Sequence, residues 1–262
     1  MRIFIITMDD PLYTIQFFKE IIEARQKSIV GLAVTSGDRM KISKNRSRLT
    51  YIFSLLLIMG PSYFITNSLK TLSFKIKKYL SQKITSIKSP SIIEYAKQKG
   101  IKTFVIKTPN DKAFLTQLKD LSPDVIINQS QHILKSALLE VPKLGVLNRH
   151  NALLPKNRGR LTPFWVLYNQ EKETGVSIHF VNEGIDSGDI IVQKKYEVVP
   201  GDTFKSIVNK NYKIAGKAML EALNLIESGD FRRIYNSNEE ATYNSTPSFK
   251  DALTYRVKRI LN

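Results

Sequence analysis

Asn148 and His150 stand two residues apart where an apolar run, Leu144 to Asn148, passes into a loop dense with polar residues. In extended backbone that spacing turns both side chains to the same side, into the crevice at a strand's carboxyl end. A second loop, Asn182-Glu183-Gly184-Ile185-Asp186-Ser187-Gly188, has glycines that permit a tight turn and a carboxylate, Asp186, able to face the same crevice. An amide, an imidazole and a carboxylate suit a reaction in which the substrate's own nucleophile attacks and no covalent enzyme intermediate forms. Each residue also has a plainer reading. A single histidine after a strand is more often packed or hydrogen-bonded than catalytic, and Asp186 equally suits an Asx turn.

Such a set needs a scaffold. Residues 2–7 (RIFIIT) and 29–35 (IVGLAVT) read as buried strands, with a helix between them in which Ile15, Phe17, Phe18 and Ile22 can face a core. Strands apolar at nearly every position belong in a parallel sheet covered on both faces, which predicts an α/β fold. The alternation resumes with a helix at 91–99, the strand IKTFVI, the helix DKAFLTQLKD and the strand DVIINQ, and a short helix follows near 134–140. Strands are expected at 175–181 and 189–197, then a long helix capped by Asp202-Thr203 and closed by Gly229. Residues 1–228 form the expected main domain, and 229–262 an extended tail with a short helix near 248–258.

Residues 37–90 break this rhythm. SLLLIMGPSYFI is apolar, too short to span a bilayer and interrupted by Gly60-Pro61. Further on, Leu69, Leu72, Ile76, Tyr79 and Leu80 recur near helical spacing with lysines on other faces, the pattern of an amphipathic hairpin inserted into the core. Charge concentrates here. The chain carries a formal net charge of +17, and no acid lies between Asp38 and Glu94, where Arg39, Lys41, Lys44, Arg46, Arg48, Lys70, Lys75, Lys77, Lys78, Lys83 and Lys88 fall. A phosphorylated substrate, nucleic acid or anionic membrane would each suit such a charge, as would a merely solvated surface. With no cysteine and three histidines, thiolate catalysis, disulfides and cysteine-held metals are excluded, and no metal is expected. The opening MRIFIITMDD has neither the long apolar stretch nor the cleavage site of a secretory signal, so a cytoplasmic protein is expected.

Two longer runs, N-R-H-N-A-L-L-P-K-N-R-G-R-L-T-P-F-W and T-G-V-S-I-H-F-V-N-E-G-I-D-S-G-D-I-I, resemble the signature of the folate-dependent formyltransferases. That family includes enzymes acting on glycinamide ribonucleotide, on methionyl-tRNA and on nucleotide-linked amino sugars. The resemblance covers roughly 1–36 and 91–228 and leaves out the basic segment. It implies a Rossmann-like fold, 10-formyltetrahydrofolate as cosubstrate, and Asn148, His150 and Asp186 as the catalytic trio. It further implies a pterin pocket made mostly by backbone of Gln131, His132, Ile133 and Leu134 and of Asn182, Glu183, Gly184 and Ile185. Asp9, Asp10, Arg158 and His179 fall on the acceptor side. Two stretches depart from the family. Asn151-Ala152 replaces a small residue or proline followed by serine, and Met8-Asp9-Asp10-Pro11 replaces the glycine-threonine-proline turn of the transfer-RNA enzymes.

The resemblance leaves the acceptor open. The favoured expectation is a phosphorylated, nucleotide-linked amino sugar, because the transfer-RNA enzymes carry a barrel domain that the residues after 228 are too few to build. Methionyl-tRNA is the alternative, and a folate-binding or membrane-surface protein without turnover is another. A general nucleic-acid binder rests on charge alone and has no recognition motif. The insertion is expected either to rest on the anionic inner face of the membrane or to be buried, over the core or in a homodimer.

Overall fold

The structure, a computed structural model, describes residues 1–36 and 47–261. The opening strand Ile3–Met8 (β1), helix Thr14–Arg25 (α1) and strand Ile29–Thr35 (β2) form the expected start of an α/β sheet, with β1 and β2 parallel. The insertion follows as two helices, Arg48–Met59 (α2) and Pro61–Ser81 (α3). Between them Gly60 adopts φ 78°, a backbone conformation that side chains disfavour, and Pro61 suits the first turn of α3. The break seen in the sequence is therefore the corner of a helical hairpin. Arg39, Lys41, Lys44 and Arg46 lie outside the described residues.

The alternation then resumes through Ile92–Gln98 (α4), Thr103–Ile106 (β3), Lys112–Asp120 (α5), Val125–Asn128 (β4), Ser136–Leu139 (α6) and Gly145–His150 (β5). A two-residue strand, Arg158–Gly159 (β6), and helix Thr162–Tyr168 (α7) lead to the antiparallel pair Glu173–Phe180 (β7) and Ile190–Glu197 (β8). The long helix Phe204–Ser228 (α8) starts on a Thr203–Ser206 capping box and stops at Gly229 with φ 72°. Strand Tyr243–Asn244 (β9) and helix Phe249–Leu261 (α9) end the chain.

The seven-stranded sheet runs β3-β2-β1-β4-β5-β7-β8, with the first five strands parallel. Alternate residues of β1 serve its two faces. Ile3 and Ile5 pack with Phe18, Ile22 and Met219 beneath α1 and α8, while Phe4 and Ile6 pack with Phe114, Leu118 and Leu138 beneath α5 and α6. A smaller cluster of Ile58, Phe164, Ala252 and Tyr255 joins α2 and α7 to α9, and Arg256 Nε donates to the Leu57 carbonyl at 2.9 Å. The insertion is thereby fastened by the far end of the chain. This is the mostly parallel α/β fold flanked by helices that the sequence predicted.

Candidate active site

Strand order reverses between β1 and β4, and in doubly wound sheets the crevice at that reversal, outside the strands' carboxyl ends, takes ligands. β5 is the next strand along and delivers Asn148 and His150 to its own carboxyl end. β7 runs back beside it and sets His179 directly across from Asn148. Asp186 comes from the loop between β7 and β8, with its backbone held at φ 46°. The four side chains meet. His150 Nδ1 lies 3.4 Å from Asp186 Oδ2, His179 Nε2 lies 3.7 Å from Oδ1, and Asn148 Nδ2 lies 3.3 Å from His179 Nε2 and 3.5 Å from Asp186 Oδ1.

A chain of donors fixes which way the Asn148 amide points. Arg149, stacked between Phe17 and Tyr212, can only donate, and it gives two hydrogen bonds of 3.1 and 3.0 Å to Gln129 Oε1. Gln129 must then turn its NH2 toward Asn148, whose Oδ1 accepts at 2.6 Å. The Asn148 NH2 is left facing Asp186 and the open end of the sheet. Gln129 and Arg149 did not emerge from the sequence. A polar residue just after β4 was their only signal.

The imidazoles sort by the same logic. Asn157's carbonyl accepts from His150 Nε2 at 2.7 Å, so that nitrogen carries a proton and Nδ1 is the atom turned to Asp186. Phe180's carbonyl likewise accepts from His179 Nδ1 at 2.7 Å, leaving Nε2 to accept from Asn148. Burial pushes the His179 pKa down to about 4, against the nearby Asp186 charge that favours protonation, so this ring is neutral at pH 7. His179 thus stands behind Asn148, 2 % exposed, and not on an acceptor surface.

Arg158, expected on the acceptor side, is 0 % exposed. Its guanidinium donates to the Asn238 and Tyr243 side chains at 2.7 and 2.6 Å and to Asn236 Oδ1 and carbonyl at 2.7 and 2.9 Å. It binds the tail to the loop that follows β5. β9 pairs with β6 alongside, and Arg158 N and Arg160 N donate to the carbonyls of Thr242 and Asn244. The buried Asn236 reaches the second loop, donating to the carbonyls of Asp186 and Gly188 at 2.9 Å each. One strap from the tail therefore holds both loops, while Gly159 N donates to Asp186 Oδ2 at 2.9 Å.

Asp10 Oδ1 accepts from the backbone of Leu12 and Tyr13 at 2.6 and 3.2 Å and shapes the turn before α1. Asp9 pairs with Lys78 Nζ at 2.5 Å and accepts from Ile92 N at 3.1 Å, tying α3 and α4 to the end of β1. Asp9 also borders a cleft of about 1780 Å³ between the hairpin and the sheet, lined among others by Tyr13, Phe74, Lys75, Lys88, Gln131 and Asn151. The cleft reaches the sheet's carboxyl end through Met8, Gln131 and Asn151, although the trio is not among its lining residues.

The two loops expected to hold a pterin are joined by Ser136, which donates to Glu183 Oε1 at 2.7 Å. Ile133 and Ile185 stand out at 75 % and 58 % exposure, whereas Leu134 is buried in the core and offers only its backbone. Asn182 Oδ1 is taken by Gly184 N and Ser187 Oγ at 3.1 and 2.7 Å. Gln131 faces the large cleft. His132 donates its backbone N–H to Ser130 Oγ at 3.5 Å. Among the described residues no cluster of His, Asp and Glu has the form of a metal site.

Comparison with known proteins adds a family. A model of the formyl transferase family matches residues 66–223. Methionyl-tRNA formyltransferases from Clostridioides difficile (strain 630) and Kosmotoga olearia are each 36 % identical over 151 residues, 57 % of this chain and 49 % of theirs. The chain spans about half the length of these curated relatives. An N-formyltransferase from Helicobacter canadensis, solved with folinic acid and dTDP-3-aminofucose, superposes with TM-score 0.60 at 15 % identity, covering 100 % of this chain and 81 % of its own. Glycinamide ribonucleotide transformylase 1 from Symbiobacterium toebii does so at 0.60 and 16 %, covering 89 % and 94 %. At such identities the two structures speak for the fold alone.

Proposed function

This chain belongs to the formyl transferase family, and from that premise we propose that it transfers a formyl group from 10-formyltetrahydrofolate to an amine. The observation that carries this reading is the convergence of Asn148, His150 and Asp186, with the Asn148 NH2 turned toward Asp186 by Gln129. The folate would supply a formyl carbon bonded to an amine that can leave. Residues 131–134 and 182–185 would hold it, and the exposed Ile133 and Ile185 fit the flat, apolar ring of a pterin.

As the acceptor nitrogen bonds to the formyl carbon, negative charge grows on the formyl oxygen. Asn148 Nδ2 donates to that oxygen, and His150, protonated at Nδ1, donates beside it. Asp186 stabilises the charged imidazole and takes, directly or through water, the proton that the attacking amine loses. The bond to the folate nitrogen would then break, and Asp186 would return to that nitrogen, directly or through water, the proton taken from the acceptor.

Methionyl-tRNA is the acceptor that the sequence relatives favour over the nucleotide-linked amino sugar expected above. The sugar stays as a second reading on one observation, a large open cleft with Tyr13, Phe74, Lys75 and Lys88 around it, suited to a base and its phosphates. Both are tested by incubating the protein with 10-formyltetrahydrofolate and each acceptor. Mass spectrometry should find the gain of N–CHO for N–H on one of them, and His150→Ala should lower that rate by about 10²-fold or more while the fold persists. Folded H150A with wild-type turnover would remove His150 from the chemistry, and no gain on any amine would end the reading.

A further inference from the structure

We propose that α3 is a docking helix for an anionic membrane surface. The helix has two working faces. One carries the buried Tyr63 and Asn67 and turns Thr71, Phe74 and Lys78 toward the large cleft. The other carries Ile65, Leu69, Ile76 and Tyr79, which are 55, 61, 48 and 61 % exposed, with Leu72, 55 % exposed, at its edge beside the cleft. At ~100° per residue these five fall in one stripe roughly 80° wide, along the whole helix and opposite the buried face. A stripe of this extent on a helix needs a cover, and α2 adds the exposed Leu49, Ile52 and Phe53 nearby.

Charge selects the cover. Lys70 and Lys77 lie on one flank of the stripe, Lys75 on the other where it also reaches the cleft, and Lys83 follows the helix, while no acid occurs between Asp38 and Glu94. Lys78 is the exception, already paired with Asp9. A second copy of the same helix would bring lysine against lysine without a compensating carboxylate. A nucleic acid would meet the lysines but has no use for five exposed apolar side chains. A leaflet with anionic headgroups matches both, since apolar side chains enter the acyl boundary while lysines reach the headgroups. Among the described residues no helix is long and apolar enough to cross a membrane, so the contact is interfacial. Docking by the outer face leaves the inner face lining the cleft, and the proposal does not depend on which amine is formylated.

Flotation of the full chain with phosphatidylcholine vesicles, with and without phosphatidylglycerol, tests this. The protein should float with the anionic vesicles at low salt, stay behind with the neutral ones, and be released by high salt. Lys70→Glu with Lys77→Glu should lower the anionic partition by about tenfold or more, given about fivefold per lysine near such a leaflet. Leu69→Glu with Ile76→Glu, at exposed positions that a change need not unfold, should abolish it with circular dichroism unchanged. Equal partition into both vesicle types would overturn the proposal. So would a dimer in analytical ultracentrifugation that Leu69→Glu with Ile76→Glu dissociates, or RNA binding that competes with the vesicles and survives that change.

Discussion

Asn148 can stabilise charge only if its NH2, and not its carbonyl, faces the reacting oxygen, and no property of Asn148 itself decides this. Arg149 does, through Gln129. Gln129→Glu is nearly isosteric but presents a second acceptor to Asn148 Oδ1, so the amide should rotate and withdraw its donors. The expected result is a fall in kcat of roughly 10²-fold with KM little changed and thermal stability near wild type, and wild-type kcat would refute the relay. His179 allows a prediction in pH. Its folded pKa of about 4 lies below the ordinary 6.5, so the unfolded chain takes up the proton first. Its contribution to stability is whole above pH 6.5 and is lost as pH falls from 6.5 toward 4, by roughly 3 kcal/mol in all. Urea unfolding across that interval should show the slope, and His179→Gln should flatten it. The pairing of Asn148 with His150 was legible because its spacing reflects strand geometry, and Asp186 joined them only through the resemblance of its loop to the family's. The relay was not, because which end of an amide faces which partner is settled only when separate strands meet.

The short strand pair β6–β9 shows the same limit one level up. Strands and helices with a strong apolar period, such as β1, β2 and α8, were legible because each one's burial follows from its own residues. β9 is two residues long, and what fixes it is the loop it binds, 85 residues away in sequence. Arg158 was misread for the same reason. An arginine in a polar loop is ordinarily exposed, and only partners from residues 236–243 make its burial affordable. Gly159 is the weak point of this pairing. Its φ is 104°, and a Cβ there would lie 2.2 Å from the Asn244 carbonyl oxygen. Gly159→Ala should therefore part β6 from β9 and loosen the N–H that Asp186 accepts. We expect stability to fall by about 1–3 kcal/mol and turnover by more than tenfold, checked by thermal melts and by hydrogen exchange at residues 157–160 and 242–244. Intact protection of those amides would show that the strap tolerates a side chain.

Across the whole molecule, the sheet was foreseeable and the hairpin's orientation was not. Amphipathic spacing predicted α3, but the usual rule would bury Leu69, Leu72 and Ile76 and expose Asn67, whereas the chain does the reverse. That inversion, with α9 gripping α2 through Arg256, makes the hairpin a separately fastened element above the cleft. The strap also sets an order of events during synthesis. Asn148, His150 and Asp186 leave the ribosome well before Asn236, Thr242 and Asn244, the residues that hold their loops in place. A nascent chain that has already folded its sheet thus still lacks the groups that fix these loops, and acquires a competent site only as residues 236–244 dock. A chain cut short before residue 236 would be a folded sheet with slack loops, so the strap that holds the site's geometry would also set the moment at which the site can work.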